Sequence, residues 1–467
     1  MINQKSNLTT ILYLSKGSQL KLILFTGIII GSSFLFYDNE TFAQDEIANN
    51  FSLNNNSSSP FSQILSSENN NTKTNNNSEL VFSNITNITN NPKDSVYAQI
   101  ATNDNYDVYM IWQESVTEKP NEKNYDIFFT KSVDNGTTFS KPLNLSNNTG
   151  FSEHSQIAVT QNGIFVIWGD NTDSNNTEIM FTKSVDNGTT FSKPLNLSNS
   201  SQNSNNQEIS AFEENVYVVW QDIDQKNNQN ISVFFKKSID SGDTFNDIAI
   251  ELANNTRDSY PKVNSYREHV YVVWNSENIE NSPESDKNSG LFFVKSSDKG
   301  NNFQNSIRIT DYNFGESQIA VNQSEVFIAW GGLHAKNIKD MYFVQSDDNG
   351  TTFTDPYLIQ EKVTATAQSK NNANLTDKII NHPTNVELVP DNPLYIVWQD
   401  KVSQENQDIF ITTNTKNDIR LSDIVNLSNN TGISECPQIA VSKNYVYVVW
   451  EDITPGNHEI FFTKGYL

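Results

Sequence analysis

Eleven carboxylates recur at two fixed places relative to the seven tryptophans of this 467-residue sequence. Six stand upstream of an apolar run, namely Asp94, Glu153, Glu208, Asp258, Glu316 and Glu435. Five follow a tryptophan by two positions, namely Glu114, Asp170, Asp222, Asp400 and Asp452. Crowded carboxylates raise one another's pKa or recruit a cation, and oxygen-rich sites favour Ca²⁺. Ca²⁺ is therefore the one cofactor that the pattern suggests.

The same acids have a second interpretation, as turn and capping residues that accept backbone N–H groups. A glycosidase could also use two of them, since a retaining enzyme needs carboxylates about 5 Å apart. Among eleven acids some pair will meet that spacing by accident. The pattern leaves all three roles open.

Other chemistry-bearing residues are few. Of four arginines, Arg257 and Arg308 fall where they could approach the same face as the acids. His154, His382 and His458 lie near the acids, but no His-x-His or His-Glu-x-x-His spacing indicates zinc. Cys436 is the only cysteine, which excludes an intramolecular disulfide and predicts a buried side chain rather than a reactive thiol.

The chain is acidic, with 31 basic and 55 acidic side chains and a formal net charge of -24. Its field repels phosphate backbones and anionic headgroups, so nucleic acid is an unsuitable partner. Cations and neutral polar ligands such as glycans fit better, unless the charge serves only solubility. Apolar residues make up 36%, enough for a large core and too few for several membrane spans.

The tryptophans count the structural repeats. They are separated by 52 to 68 residues and are Trp112, Trp168, Trp220, Trp274, Trp330, Trp398 and Trp450. Each ends a continuous apolar run, as in residues 217–220, which predicts a strand covered on both faces. Three further short strands accompany each tryptophan strand, and turn residues interrupt every run before a helix could form. Four strands per unit predict an all-β, seven-bladed β-propeller with four-stranded antiparallel blades.

A repeated turn joins the predicted third and fourth strands. Its first copy runs from Ser132 through Asp134 and Gly136 to Phe139, and four more copies follow in phase with the blades. The five pairs are Asp134 and Gly136, Asp186 and Gly188, Asp240 and Gly242, Asp298 and Gly300, and Asp348 and Gly350. The carboxylate can accept backbone N–H groups, glycine permits a positive φ, and the aromatic ring fills the blade. We therefore predict a structural role for these aspartates.

The turn resembles the Asp-box of sialidase-like propellers, and the resemblance covers roughly residues 80–467. In that family hydrolysis uses three arginines, a Tyr/Glu pair and an Asp acid/base. This chain departs from the pattern, because it has only four arginines, lacks the Phe-Arg-Ile-Pro segment and counts seven blades rather than six. The resemblance thus implies the fold and leaves sialidase activity in doubt.

Blade 7 stops after its third strand at the end of the chain, so the ring must be closed from elsewhere. Residues 80–86 lie where a fourth strand would precede blade 1, and their Asn84-Ile-Thr86 echoes Asn144-Leu-Ser146. We predict that this N-terminal strand completes the last blade, which hides both end strands from solvent.

The N-terminal residues predict export. Lysines precede an apolar run at residues 22–37, and small residues follow at 41–43, so residues 1–43 are a predicted signal peptide or uncleaved signal anchor. Residues 44–78 are rich in Asn and Ser and are a predicted disordered stalk before the propeller at 79–467. Sequons at Asn84, Asn144, Asn196 and Asn426 suit a glycosylated protein, secreted or at the cell surface.

Two functions remain after these steps. The favoured one is a monomeric, non-catalytic propeller that binds a glycan, a peptide or a surface protein and meets membranes only through its N-terminal anchor. The alternative is a divergent sialidase-like glycoside hydrolase. An envelope component without a small ligand is a third hypothesis.

Overall fold

A computed structural model describes most of the propeller sequence together with four short N-terminal strands. The described residues are 9–14, 20–25, 27–30, 33–36, 80–117, 124–172, 176–224, 230–256, 260–276, 289–311, 317–334, 338–358, 384–389, 395–403, 405–415, 418–421 and 424–466.

The N-terminal strands form two hairpins. In these, β1 (Thr9–Leu14) pairs with β2 (Leu20–Phe25), and β3 (Gly27–Ile30) pairs with β4 (Ser33–Phe36). They lie in and before the apolar run at residues 22–37, for which a signal peptide or signal anchor remains the prediction. Among the described residues no helix has the length and apolar character needed to span a membrane.

The remaining strands form seven antiparallel sheets, one for each tryptophan. Blade 7 begins at the N-terminal end of the propeller, with β5 (Val81–Phe82) and β6 (Thr86–Asn87). Blade 1 contains β7 (Ser95–Thr102), β8 (Val108–Ser115), β9 (Tyr125–Ser132) and β10 (Leu143–Asn144). Blade 2 contains β11 (Ser152–Thr160), β12 (Gly163–Asp170), β13 (Glu178–Ser184) and β14 (Leu195–Asn196). Blade 3 contains β15 (Asn203–Phe212), β16 (Asn215–Ile223), β17 (Ile231–Ser238) and β18 (Ile250–Thr256).

The same strand order continues around the ring. Blade 4 contains β19 (Lys262–Tyr266), β20 (His269–Ser276), β21 (Gly290–Ser296) and β22 (Ile307–Thr310). Blade 5 contains β23 (Ser317–Asn322), β24 (Glu325–His334), β25 (Ile338–Ser346) and β26 (Tyr357–Leu358). Blade 6 contains β27 (Thr384–Val389), β28 (Tyr395–Lys401), β29 (Gln407–Thr415), β30 (Asp418–Leu421) and β31 (Val425–Asn426). Blade 7 ends with β32 (Ser434–Ser442), β33 (Tyr445–Asp452) and β34 (Glu459–Tyr466).

The first strand of each blade is the innermost. The seven first strands lie against one another in sequence, and β32 of blade 7 lies against β7 of blade 1, so the ring is complete. The chain is thus a seven-bladed β-propeller, and the predicted fold class is confirmed.

The second strands form the core of each blade. Residues along β8, β16 and β33 are buried with almost no interruption, because neighbouring blades cover both faces of the sheet. Six of the seven tryptophans stack on an aromatic ring of the third strand, as Trp112 does on Phe128 with ring centroids 6.0 Å apart, whereas Trp168 lies opposite Met180. A fully buried ring of this size contributes at most ~4–6 kcal/mol of hydrophobic free energy.

Four buried acids tie the fourth strand to the third. They are Asp126, Glu178, Asp408 and Glu459. In blade 1, Asp126 accepts the Asn144 amide at 2.6 Å and the Ser146 hydroxyl at 3.1 Å. Asn426 donates to Asp408 in the same way, at 2.6 Å, whereas the side chain of Asn196 is exposed. Two of the three equivalent sequon amides are therefore committed to a carboxylate.

In blade 7, the N-terminal strands β5 and β6 take the place of the fourth strand, as predicted. β5 and β6 both pair with β34, with Phe82 opposite Gly465 and Asn87 opposite Phe461. Thr89 donates its hydroxyl to Glu459 and accepts the Ile460 N–H at 3.0 Å. The residues equivalent to Asn144-Leu-Ser146 are therefore Asn87-Ile-Thr89, three positions later than the predicted echo at Asn84. Asn84 lies outside both paired segments.

Five turns between third and fourth strands, called here the Ser-Asp turns, contain the paired Asp and Gly residues. In the first, Asp134 Oδ1 accepts the Ser132 hydroxyl and the Thr138 N–H, both at 2.8 Å. The Thr138 N–H and hydroxyl and the Ser132 hydroxyl lower the pKa of Asp134 to about 2. The same bonds recur at Asp186, Asp240, Asp298 and Asp348. These carboxylates are thus fully occupied within their turns.

Each Ser-Asp turn also packs on the preceding blade. Gly188 has φ +71° and lies so close to Phe129 of blade 1 that a Cβ atom would meet the ring at 2.6 Å. A lysine of the third strand reaches the next turn in five blades, as Lys183 Nζ donates to the Ser241 carbonyl at 2.8 Å. The Ser-Asp turns therefore hold neighbouring blades together on the face opposite to the starts of the first and third strands.

We predict that Gly188→Ala destabilises the propeller by about 2–4 kcal/mol, because the new methyl group is strained at this φ and overlaps Phe129. Phe129→Leu, which removes the overlapping atoms, should make Gly188→Ala less costly by at least about 1 kcal/mol in a double-mutant cycle measured by urea unfolding. Additive effects would show that the turn does not pack on blade 1.

Closure gives a second prediction. Thr89→Val should lower the free energy of unfolding by about 1–3 kcal/mol, because it leaves Glu459 and the Ile460 N–H without their hydroxyl partner. Thr86→Val, on the exposed side of β6, is the matched control and should be near neutral. Equal effects of the two variants in thermal unfolding would contradict this role for Thr89.

Candidate functional site

One face of the ring, called here the mouth face, gathers the starts of the first and third strands and the ends of the second strands. A bulge interrupts the first strand near this face in blades 1, 2, 3, 6 and 7. The bulge residues with positive φ are Tyr97, His154, Asn206 and Cys436, and Tyr260 takes the same conformation just before β19. Non-glycine residues in this region store strain, and such strain gathers at functional sites.

A hydrogen bond to the neighbouring blade holds three of the bulge residues and Tyr260. The acceptor is the side chain directly after the preceding blade's tryptophan. Gln113 accepts the His154 N–H at 2.9 Å, and Gln221 accepts the Tyr260 N–H at 3.1 Å. Gln399 accepts the Cys436 N–H, and Glu451 accepts the Tyr97 N–H, both at 2.6 Å. The backbone of the mouth is therefore fixed by contacts between blades.

Because the backbone turns outward at the bulges, several bulge side chains reach solvent. Tyr97 is 46% exposed and Tyr260 is 39% exposed, unusual for tyrosines on the innermost strands of a core. The Tyr97 and His154 rings lie 5.3 Å apart across the boundary between blades 1 and 2. Burial and the negative charge of Glu451 raise the pKa of the Tyr97 phenol, so it stays protonated and can donate a hydrogen bond at neutral pH.

Four of the predicted acids are buried partners of the tryptophans. The indole N–H donates to the carboxylate two residues later, at 3.3 Å for Glu114, 3.0 Å for Asp170, 2.9 Å for Asp222 and 3.3 Å for Asp452. A serine at the start of the first strand donates to the same groups, as Ser204 does to Asp222 at 2.6 Å. Asp400 is also buried and accepts the Lys401 N–H at 2.7 Å. These contacts match the capping interpretation, while any ligand role for the five remains a prediction.

The acids upstream of the first strands are placed differently. Asp94 accepts the His458 N–H at 3.2 Å, and Glu208 forms an ion pair with Lys262 at 2.9 Å. Glu153 lies 3.8 Å from His154 Nδ1. Glu435 lies in a group with Glu451 and His458, in which one potential metal-ligating atom of each side chain lies within 4.8 Å of the others. The nine predicted acids that the structure describes therefore do not form one ring of equivalent groups.

Of the two predicted arginines, the structure describes only Arg308. Arg308 lies on β22, the outermost strand of blade 4, where it pairs with Asp311 at 2.8 Å. Arg267 lies in the turn between β19 and β20, with its guanidinium 5.2 Å from the centre of the Tyr266 ring. Arg257, Asp258, Glu316 and His382 lie outside the described residues.

Sequence reasoning missed Tyr97, Tyr260 and Glu451. A signal was present, because the bulge falls within a repeated Ser-x-x-x-Gln-Ile pattern whose third position varies. That position holds Tyr97 in blade 1, His154 in blade 2 and Cys436 in blade 7. Because this position varies while the rest of the pattern repeats, we infer that its side chain has a role other than forming the bulge.

Comparison with known proteins gives structures of low similarity only. No family model and no curated protein sequence matches the chain. A protein of unknown function from Dyadobacter fermentans is 12% identical at TM-score 0.45, covering 82% of this chain and 99% of its own. A Trypanosoma rangeli sialidase is 12% identical at TM-score 0.43, covering 80% and 55%, so this chain spans about half its length. The phage phi92 endosialidase is 11% identical at TM-score 0.45, covering 82% and 68%. Similarities at this level carry no information about function.

We predict that Asp170→Asn lowers the free energy of unfolding by about 2–4 kcal/mol, since four donors converge on this carboxylate and an amide cannot accept all of them. Asp243→Asn, at an exposed aspartate on the opposite side of the ring, should change it by less than about 0.5 kcal/mol. A stable Asp170→Asn protein in urea titration would show that the carboxylate is not a structural partner of Trp168.

Proposed function

We propose that this chain is an exported Asp-box propeller of the sialidase-like kind that binds a neutral polar ligand, such as a glycan, at its mouth face and does not hydrolyse it. The observation that carries the proposal is the exposure of Tyr97 and Tyr260 on strained, inter-blade-anchored backbone at the innermost strands.

Tyrosine suits this role because it offers a large, rigid surface with a hydrogen-bonding end at low entropic cost. The Tyr97 and His154 rings form an adjacent aromatic pair, and Glu153 and Glu435 supply acceptors beside it. Hydroxyl groups of a sugar need both an apolar surface and acceptors of this kind. The overall charge of -24 disfavours an anionic ligand.

Hydrolysis of a sialoside has little support from the described residues. The family's chemistry needs arginines converging on a carboxylate, but Arg267 and Arg308 lie in an opposite turn and on an outer strand. Three acids of the mouth face, Asp170, Asp222 and Asp452, are committed to tryptophan and serine donors. A binding site retains its function under these constraints, whereas a glycosidase needs free paired acids.

Export is part of the proposal and rests on the N-terminal sequence. Basic residues, an apolar run and small residues in order are the features of a signal segment. Such a leader would place a glycan-binding mouth outside the cell, where glycans are displayed.

A glycan array probed with the labelled full-length chain tests the proposal. Tyr97→Ala should reduce binding to the best glycan at least tenfold, because it removes the exposed ring from the mouth. Tyr466→Ala is the matched control, since Tyr466 is 52% exposed at the end of β34, on the side away from the mouth.

Two results would contradict the proposal. One is no binding to any glycan, and the other is equal loss in both variants. Release of free sugar from a bound glycan by the wild-type chain would favour the hydrolase alternative.

A further inference from the structure

Blade 7 departs from the other blades at three neighbouring positions on the mouth face. Directly after the tryptophan, blades 1, 3 and 6 carry Gln113, Gln221 and Gln399, whereas blade 7 carries Glu451. One position before the acid of the third strand, blades 1, 2 and 6 carry Tyr125, Thr177 and Gln407, whereas blade 7 carries His458.

The third position belongs to the first strand, where Glu435 pairs with Glu451. The equivalent residues are Val96 opposite Gln113 and Asn205 opposite Gln221. Blade 2 has Glu153 there, but opposite Gly169, with Thr177 in place of the histidine. Among the blades whose corresponding residues the structure describes, blade 7 alone combines two carboxylates with an imidazole.

The three side chains converge in space. Each side chain offers one atom that could bind a metal ion, and these three atoms lie within 4.8 Å of one another. His458 Nδ1 lies 3.7 Å from Glu451 Oε2, which is too far for a hydrogen bond. His458 Nδ1 is shielded from solvent and has no hydrogen-bond partner among the described residues. When protonated, this nitrogen pairs with the Glu451 carboxylate, and a metal ion would take the place of that proton.

We propose that Glu435, Glu451 and His458 form a binding site for a divalent transition-metal ion of the Zn²⁺ type. Two carboxylate oxygens and one imidazole nitrogen are a set that zinc accepts, whereas Ca²⁺ takes oxygen ligands. Zinc bonds of ~2.0–2.2 Å place ligand atoms about 3.4 Å apart in a tetrahedron, so a small movement of the half-buried Glu435 completes the geometry.

The surroundings support a ligand role for Glu451. Its side chain is 4% exposed, and its other oxygen accepts the Tyr97 N–H at 2.6 Å, which fixes the carboxylate in orientation. Such outer hydrogen bonds are typical of metal-binding carboxylates.

Histidine spacing could not reveal this site, because its ligands come from two strands and the loop before a third rather than from one motif. Three protein ligands leave at least one coordination position for water or a ligand atom. The ion would lie next to the backbone of Tyr97, at the boundary between blades 7 and 1.

The repeat supplies near-isosteric test variants. Glu451→Gln and His458→Gln install the residues that blade 6 carries at these positions, Gln399 and Gln407. In the first variant the new side-chain amide oxygen can still accept the Tyr97 N–H. Gln399→Glu is the matched control, since it adds a carboxylate to blade 6 without a histidine.

Equilibrium dialysis of the full-length chain against micromolar Zn²⁺, with millimolar Mg²⁺ to occupy the other carboxylates, measures the bound metal by mass spectrometry. We expect one zinc ion per wild-type chain, at least tenfold weaker binding in Glu451→Gln and His458→Gln, and unchanged binding in Gln399→Glu. Thermal unfolding without metal should show that the variants stay folded.

Three outcomes would overturn the assignment. The wild-type chain could bind no zinc. Glu451→Gln and His458→Gln could also bind zinc as tightly as the wild type does. Alternatively, Ca²⁺ could bind in a way that depends on Glu451 but not on His458, which would exclude an imidazole ligand. Since dialysis requires no glycan, failure of zinc binding is distinguishable from failure of the proposed ligand binding.

Discussion

Strands with apolar side chains on both faces cannot leave either face in water, and this constraint governs the whole molecule. Each tryptophan strand must be covered by a neighbouring blade on both sides, which only a closed ring provides for all seven blades. The innermost strands therefore meet in an unbroken circle, and β5 and β6 complete the blade at which the chain ends. Without closure, the aromatic residues of β34 would lie at an open edge.

The two sides of the ring solve different problems. On one side the Ser-Asp turns bind their own backbone and seat a glycine against the phenylalanine of the preceding blade, so their acids are structural. On the other side, bulge side chains reach solvent, and glutamine or glutamate side chains of the preceding blade accept hydrogen bonds from the strained backbone. The Ser-Asp turns repeat the same Ser, Asp, Gly and Phe residues in five blades, whereas the residue at the bulge position varies among the blades. This separation explains why variation within the repeat is a better guide to function here than the repeated acids themselves.

Comparing equivalent positions in different blades also separates structural residues from candidate functional residues. Acids that recur after the tryptophans proved to be hydrogen-bonded partners of indole and serine groups in four blades. Glu451 and His458 do not recur, and they converge with Glu435 at the boundary where the ring closes. Aromatic residues at the bulges follow the same logic, since Tyr97 and His154 occupy one position in successive blades.

The sequence by itself determined the number of blades, their four strands, the Ser-Asp turns and closure by the N-terminal strand. Those features depend on local patterns, namely continuous apolar runs, turn residues and their period, which are legible in one dimension. Only the tertiary structure decided which residues share the mouth face, because contacts such as Tyr97 with Glu451 join positions 354 residues apart. It also moved the closing register from Asn84 to Asn87, since hydrogen bonding to Glu459 and Ile460 selects between two similar tripeptides. Spacing along the chain cannot report a cluster whose members lie on different strands, and for that reason Glu435, Glu451 and His458 became a group only once the sheet was formed.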